Sequence, residues 1–344
     1  MNILVTGTEG YLGCLLAPSL LKKGHRVVAV DTGFYKVGWL YNGSSLTART
    51  LNKDIRHITT EDLRGMDAVV HMAELSNDPT GELAPHITYE INHKGSVRLA
   101  GLAKEAGVQR FVYTSSCSVY GLAAADHMTE ESTVNPQTAY AVCKTLVERD
   151  LKPMADNNFS PTILRNATAY GASPRMRFDI VLNNLAGLAW TTKEIKMVSD
   201  GTPWRPLVHA LDIARAISCV LDAPRETIHN ETFNVGDTAH NYTIREIADI
   251  IADVFPRCSV SFGNQGADNR SYRVSFEKIK TKLLGFRCDW DARRGAQQLR
   301  EVFEQIDMTP DVFNSRGFTR LKQLEYLMRT HQIDQDFFWK NGNA

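Results

Sequence analysis

Along the first half of the chain, short apolar runs rich in β-branched residues alternate with longer stretches whose apolar positions recur every three or four residues. The short runs fall at Asn2 to Thr6, Arg26 to Val30, Ala68 to Met72, Arg110 to Ser115 and Thr162 to Arg165. Between them, Tyr11 to Lys23, Ile87 to Ala106 and Ala139 to Asn157 carry the helical period. Strand and helix in regular alternation predict βαβ units and a parallel sheet. Beyond about residue 172 the pattern loosens. Phe178 to Trp190, Leu211 to Leu221 and Ile244 to Phe255 read as helices separated by short strands. The expected architecture is α/β, a Rossmann-type doubly wound parallel sheet over residues 1–172. A smaller mixed α/β unit over 173–344 follows, with some chain crossing back to the sheet. In such sheets ligands bind at the carboxyl ends of the strands.

Composition narrows the partner. The chain has 344 residues, 39 Lys+Arg against 39 Asp+Glu, and 43% hydrophobic residues. That apolar fraction excludes a chiefly disordered chain. Zero formal charge argues against a nucleic-acid binder that neutralises phosphates. No apolar run reaches the length of a membrane span, and Met1-Asn2 leads into Ile3 without a signal-peptide pattern, so a cytoplasmic protein is expected. The six cysteines show no metal-ligand spacing; no metal is expected, and reduced thiols fit that compartment.

Directly after the first strand stands Gly7-Thr8-Glu9-Gly10-Tyr11-Leu12-Gly13. Glycines there permit a tight turn and bring backbone close to a pyrophosphate, while the following helix offers N–H donors and its positive dipole end. The second strand ends in Asp31, 18 positions beyond Gly13. A carboxylate at about 20 positions is what an adenine ribose requires, and it favours NAD over NADP, whose 2′-phosphate would meet a like charge. The loop that follows, Thr32 to Thr47, interleaves glycines with Phe34, Tyr35, Trp39 and Tyr41; it reads as a packed surface loop or as a contact to cofactor or substrate.

A second group of residues carries chemistry. Ser115-Ser116 end the strand that starts near Arg110, and Tyr140 and Lys144 are spaced to share one face of a helix. A cation beside a phenol favours the phenolate, so Tyr140 could exchange a proton with a sugar hydroxyl as hydride moves to or from a nicotinamide. Ser116 would bond the same oxygen and Lys144 the nicotinamide ribose.

These motifs together resemble an extended short-chain dehydrogenase/reductase of the nucleotide-sugar epimerase/dehydratase family, over Met1 to roughly residue 290. The resemblance implies NAD as cofactor, with Gly7, Gly10, Tyr11, Leu12, Gly13, Asp31, Asp54, Ile55, Met72, Ala73, Asn92, Ser115, Tyr140 and Lys144 around it, and Ser116, Tyr140 and Lys144 as the catalytic set. His71, Asp212 and His209 match family landmarks but read as packing residues. On the substrate side the resemblance points to Asn166, Thr168, Arg175, Arg205 and Arg270, with the arginines suited to a diphosphate; Arg177 and Arg273 are further candidates. Glu74, where the family usually carries a small residue, reads equally as a ligand for sugar hydroxyls or as a loop cap.

Departures from the family pattern bear on the reaction. The residues after Ser116 are Cys117 and Ser118, where dehydratases carry acids, so elimination of water loses its proton donor and acceptor. The expected activity is an NAD-dependent epimerase of a nucleoside-diphosphate sugar, at C4 through a 4-keto intermediate. A 4-ketoreductase or dehydrogenase with exchangeable NAD(P) is the alternative, and a non-catalytic NAD-binding regulator a more distant one. By resemblance, the helices near Asn92 to Ala106 and Ala139 to Asn157 could form a homodimer interface. The residues from Asp289 onward exceed what the motifs explain.

Overall fold

The computed structural model describes residues 1–43, 48–122, 126–197, 199–263 and 271–340. Twelve strands occur among them: β1 Asn2–Thr6, β2 Arg26–Asp31, β3 Arg49–Asn52, β4 Ala68–His71, β5 Arg110–Ser116, β6 Ser160–Asn166, β7 Thr168–Tyr170, β8 Glu194–Lys196, β9 Trp204–His209, β10 Glu231–Val235, β11 Asn241–Thr243 and β12 Ser259–Ser261. The longer helices are α1 Gly13–Lys22, α2 Ser96–Glu105, α3 Ala139–Leu151, α4 Val181–Thr191, α5 Ala210–Asp222, α6 Ile244–Val254, α7 Ala292–Gln305 and α8 Arg320–Arg329.

Seven strands form one parallel sheet in the order β10-β6-β5-β4-β1-β2-β3. Both faces are covered, which is why these strands read as nearly continuous apolar runs. Alternation along β1 shows the physics: Ile3 and Val5 enter one core beside Val220 and Phe233, while Leu4 enters the opposite one beside Leu99 and Phe159. The strand order reverses where β1 lies between β2 and β4, and the crevice at that reversal opens beyond the strand ends. β10, from the second half of the sequence, pairs with β6, so the chain does cross back to the sheet.

A three-stranded sheet, β11-β9-β7, and a two-stranded one, β12-β8, belong to the smaller mixed part. Its core gathers Leu182, Ile247 and Ile251 with Leu299 and Phe303 of α7.

Two helices differ from the periodicity. The stretch Ile87 to Ala106 is not one α-helix: a short turn Pro85–Thr88 passes into a π-helical segment Tyr89–Gly95 before α2 begins. The wider turn carries Asn92, whose amide bonds both N (2.8 Å) and O (3.0 Å) of Leu75. Similarly, α3 ends at Leu151 in a 3-10 turn Lys152–Met154, because Pro153 has no N–H to continue the ladder.

Candidate active site

Beyond the carboxyl ends of β1, β2, β4 and β5 lies a cavity of about 830 Å³ that the mixed part closes from the other side. At one end it is lined by Gly7, Gly10, Tyr11, Leu12, Gly13 and Asp31. Gly7 has φ +78°, and a Cβ on Gly13 would meet Gly7 O at 2.1 Å, so the turn from β1 into α1 closes only with glycine at that position. Asp31 caps the turn, accepting from Glu9 N (2.9 Å) and Gly33 N (2.8 Å). Burial raises its carboxyl above the usual range, and those two amides oppose the shift. Asp54 and Ile55 line the same end; Asp54 is gripped by Arg56 through Nε (3.0 Å) and Nη2 (2.8 Å). Met72 N and Ala73 N both donate to Thr6 Oγ1 at 3.1 Å, fixing the exit of β4 along the cavity wall.

The reactive end lies past β5. Ser116 closes that strand, and α3 starts at Ala139 because Thr138 Oγ1 accepts from Ala141 N (3.2 Å). Thr138 in turn donates to Asp78 (2.6 Å). This sets Tyr140 in the first turn and Lys144 one turn on, with Nζ 5.5 Å from the centre of the Tyr140 ring. Ser116, Tyr140 and Lys144 all line the cavity.

The cation expected to lower the Tyr140 pKa is itself neutralised. Lys144 Nζ lies 2.5 Å from Glu74 Oε2, with side-chain exposures of 4% and 2%. Nζ also donates to Thr114 O, and Tyr113 Oη donates to Glu74 Oε1 (2.7 Å). Burial pushes the Tyr140 hydroxyl well above the ordinary phenol range, Glu74 and Asp78 push the same way, and Arg177 and Ser116 oppose them. Burial likewise raises the Glu74 carboxyl, against the pull of Lys144. Glu74, expected as a ligand for sugar hydroxyls or as a loop cap, lines the cavity with its carboxylate held by Lys144 and Tyr113.

Other expected residues divide by geometry. Asn166, Thr168 and Arg205 line the cavity, and Asn166 Oδ1 is buried without a hydrogen-bond partner. Arg175 does not line it: its guanidinium pairs with Glu9 (2.7 Å), donates to Lys36 O (2.5 Å) and stacks 4.0 Å over Trp39, so it pins the loop after Asp31. Its neighbour Arg177 does line the cavity. Asn92 is fully buried on Leu75 and holds the cavity wall from behind. Ser115 Oγ donates to Glu148 (2.5 Å) and Tyr11 Oη to Gly171 O (2.7 Å), so both hydroxyl protons are engaged within the protein. Arg270 lies outside the described residues.

The packing roles expected for the histidines hold. His71 sits between Thr6 Oγ1 (2.8 Å) and Ser96 Oγ (2.7 Å), and His209 caps α5 and stacks on Trp290. Cys117 is buried with Sγ on Arg165 O (3.2 Å). Among the described residues no cluster of His, Cys, Asp and Glu could hold a metal ion, and no helix is long and apolar enough to cross a membrane.

The lining fits a dinucleotide: a glycine cradle that a Cβ would fill, a helix amino terminus, a carboxylate at the end of the second strand and a lysine on the cavity wall.

Comparison with known proteins agrees. Residues 3–236 match the profile of the NAD dependent epimerase/dehydratase family. The chain is 25% identical over 335 residues to UDP-glucose 4-epimerase of Bacillus subtilis, covering 87% of this chain and 94% of that one. MoeE5, solved in complex with UDP-glucose and NAD, superposes with a TM-score of 0.75 at 25% identity, over 90% of this chain and all of that one. The dTDP-glucose 4,6-dehydratase DesIV of Streptomyces venezuelae, with NAD bound, shares the fold at a TM-score of 0.76 and 24% identity, over 89% and 97%.

Proposed function

The chain belongs to the NAD-dependent epimerase/dehydratase family of nucleotide-sugar enzymes, and from that premise we propose that it is an NAD-dependent epimerase of a nucleoside-diphosphate sugar, inverting C4 through a transient 4-keto sugar. The observation that carries this reading is the convergence of Ser116, Tyr140 and Lys144 on the cavity that also holds the glycine cradle and Asp31. NAD, when bound, supplies the hydride acceptor and donor.

Tyr140 Oη takes the proton of the C4 hydroxyl as C4 becomes a ketone, and returns it when the ketone is reduced on its other face. Ser116 Oγ holds the same oxygen, which keeps the proton path in one place while the sugar turns. Lys144, on the cavity wall, holds the nicotinamide ribose. On the substrate side, Arg205 and Arg270 take the diphosphate, and Asn166 and Thr168 face the sugar.

Epimerisation is favoured over dehydration because Cys117 is turned into the core and Ser118 carries no carboxyl, which leaves elimination without an acid and a base next to Ser116. All six cysteines are free, as a reducing cytoplasm would keep them. Two copies pairing through α2 and α3 would make the homodimer.

The test is direct. Purified protein should carry NAD and interconvert two nucleotide sugars with no net change in nicotinamide absorbance. Stoichiometric reduction or oxidation of the cofactor would overturn the epimerase in favour of the ketoreductase or dehydrogenase. Thermal stabilisation by a series of nucleotide sugars would identify the substrate.

A further inference from the structure

The chain beyond α7 does not stay with the substrate side. It returns to the cofactor side and packs on the loop that follows Asp31. Gln323 Nε2 donates to Phe34 O (3.0 Å), Trp339 Nε1 donates to Thr32 O (2.6 Å), and the Phe34 and Trp339 rings lie 5.5 Å apart. Leu324, Leu327, Ile333 and Phe337 form one apolar cluster with Phe34 and Ile55.

This return delivers Arg320, the first residue of α8, to the cavity wall. Arg320 is 3% exposed, and its guanidinium lies 4.1 Å from the centre of the Tyr35 ring. Only its backbone N–H meets Asp179 (3.1 Å). That carboxylate is already held by Arg177 Nε (2.8 Å) and Asn77 Nδ2 (3.1 Å). Among the described residues the Arg320 guanidinium has no ion-pair partner. Arg177, 8% exposed, has its Nη2 buried without a hydrogen-bond partner, and so has the Tyr35 hydroxyl.

Three donors without acceptors on one stretch of wall form an arrangement that protein interiors avoid, since a buried unpaired charge is costly. An anion supplied by a ligand removes that cost. Burial, and after it Arg177, holds the Arg320 pKa down at about 10, against the opposing pull of Tyr35, Asp179 and Asp31. Arg320 lines the same cavity as Asp31, at the end of β2, and Gly13, the first residue of α1. Between a ribose-binding acid and a helix amino terminus runs the diphosphate of a dinucleotide.

We propose that Arg320, with Arg177 and Tyr35, is a receptor for the diphosphate of the bound dinucleotide, so that the C-terminal segment completes the cofactor site. The proposal rests on the dinucleotide site and is independent of which sugar reaction follows.

Calorimetric titration of wild type, Arg320→Met and Tyr35→Phe with NAD, NADP, ADP, adenosine and UDP tests it without turnover. Arg320→Met should weaken NAD and ADP by about 10- to 100-fold, the worth of a charge-assisted hydrogen bond, and leave adenosine unchanged. The unliganded variant should melt no lower than wild type, because a buried unpaired cation is gone. Tyr35→Phe, which keeps the ring and the fold, should weaken NAD by a smaller factor in the same pattern. Equal losses for adenosine and NAD, or a lower melting point with unchanged NAD affinity, would reduce Arg320 to a packing residue. A loss confined to NADP would assign the site to a 2′-phosphate, and a loss confined to UDP would assign it to the sugar nucleotide; either overturns the proposal.

Discussion

The carboxylate of Glu74 and the ammonium of Lys144 face each other at 2.5 Å inside the protein, with that ammonium 5.5 Å from the centre of the Tyr140 ring. A lysine at that position lowers a tyrosine pKa only as far as its charge is uncompensated. Glu74→Gln keeps the shape and removes the compensating charge. The Tyr140 hydroxyl should then ionise more easily, and the acid limb of the kcat–pH profile for sugar oxidation should move down by about one unit. An unmoved limb in a folded variant would show that Glu74 acts on Lys144 geometry alone.

Tyr140→Phe removes the phenol proposed to exchange a proton with the sugar hydroxyl. Turnover should fall by about 10³-fold or more, while NAD affinity stays within a few-fold of wild type. Single-turnover rates and NAD titration read the two effects separately; retained turnover would remove Tyr140 from its role.

Asp31 caps the turn through Glu9 N and Gly33 N, and the proposed cofactor site gives it the adenine ribose as well. Asp31→Ala should weaken NAD by about tenfold and NADP by less, because the variant also loses the like charge that repels a 2′-phosphate. Parallel titrations decide it, and equal losses would mean that the carboxylate acts through Gly33 N and Glu9 N alone.

His71 gives a pH dependence of stability. Burial first, and Lys144 second, hold its imidazole down at about 3. Below the ordinary value of about 6.5 the unfolded chain binds a proton that the folded chain refuses. The stability this group contributes is thus present above pH 6.5 and lost as pH falls toward 3, with a slope of up to about 1.4 kcal/mol per pH unit. Urea unfolding between pH 6 and 4 should show a slope smaller by about one proton in His71→Gln; identical slopes would refute the assignment.

The strands of the sheet were legible because burial on both faces leaves continuous apolar runs, and the cradle because Gly7, Gly13 and Asp31 answer to local backbone geometry. Tyr140 and Lys144 were legible for a similar reason, since one helical turn places them together. Pairings across the fold left no local trace. Glu74 meets Lys144 across 70 residues of sequence. Arg175 and Arg177 stand two residues apart at the turn that includes Pro174 and go to different places, one to Glu9 and the loop, the other to the cavity. The periodicity of Ile87 to Ala106 could not reveal the π-helical turn, because the extra residue serves a hydrogen bond to Leu75. Arg320 had no motif around it; only the docking of α8 brings it near Asp31.

The contacts that tie α8 and the residues after it to the loop following Asp31 join residues 289 and 307 positions apart in sequence. Closures of that span are the slowest to form, and domains assemble from the amino terminus during synthesis. The sheet and glycine cradle can therefore stand before the residues that cover them exist. A chain folded only as far as α7 would present the cavity without the wall that Arg320 and its helix supply. A chain terminated before Arg320 would keep its sheet and bind NAD as a ligand in rapid exchange.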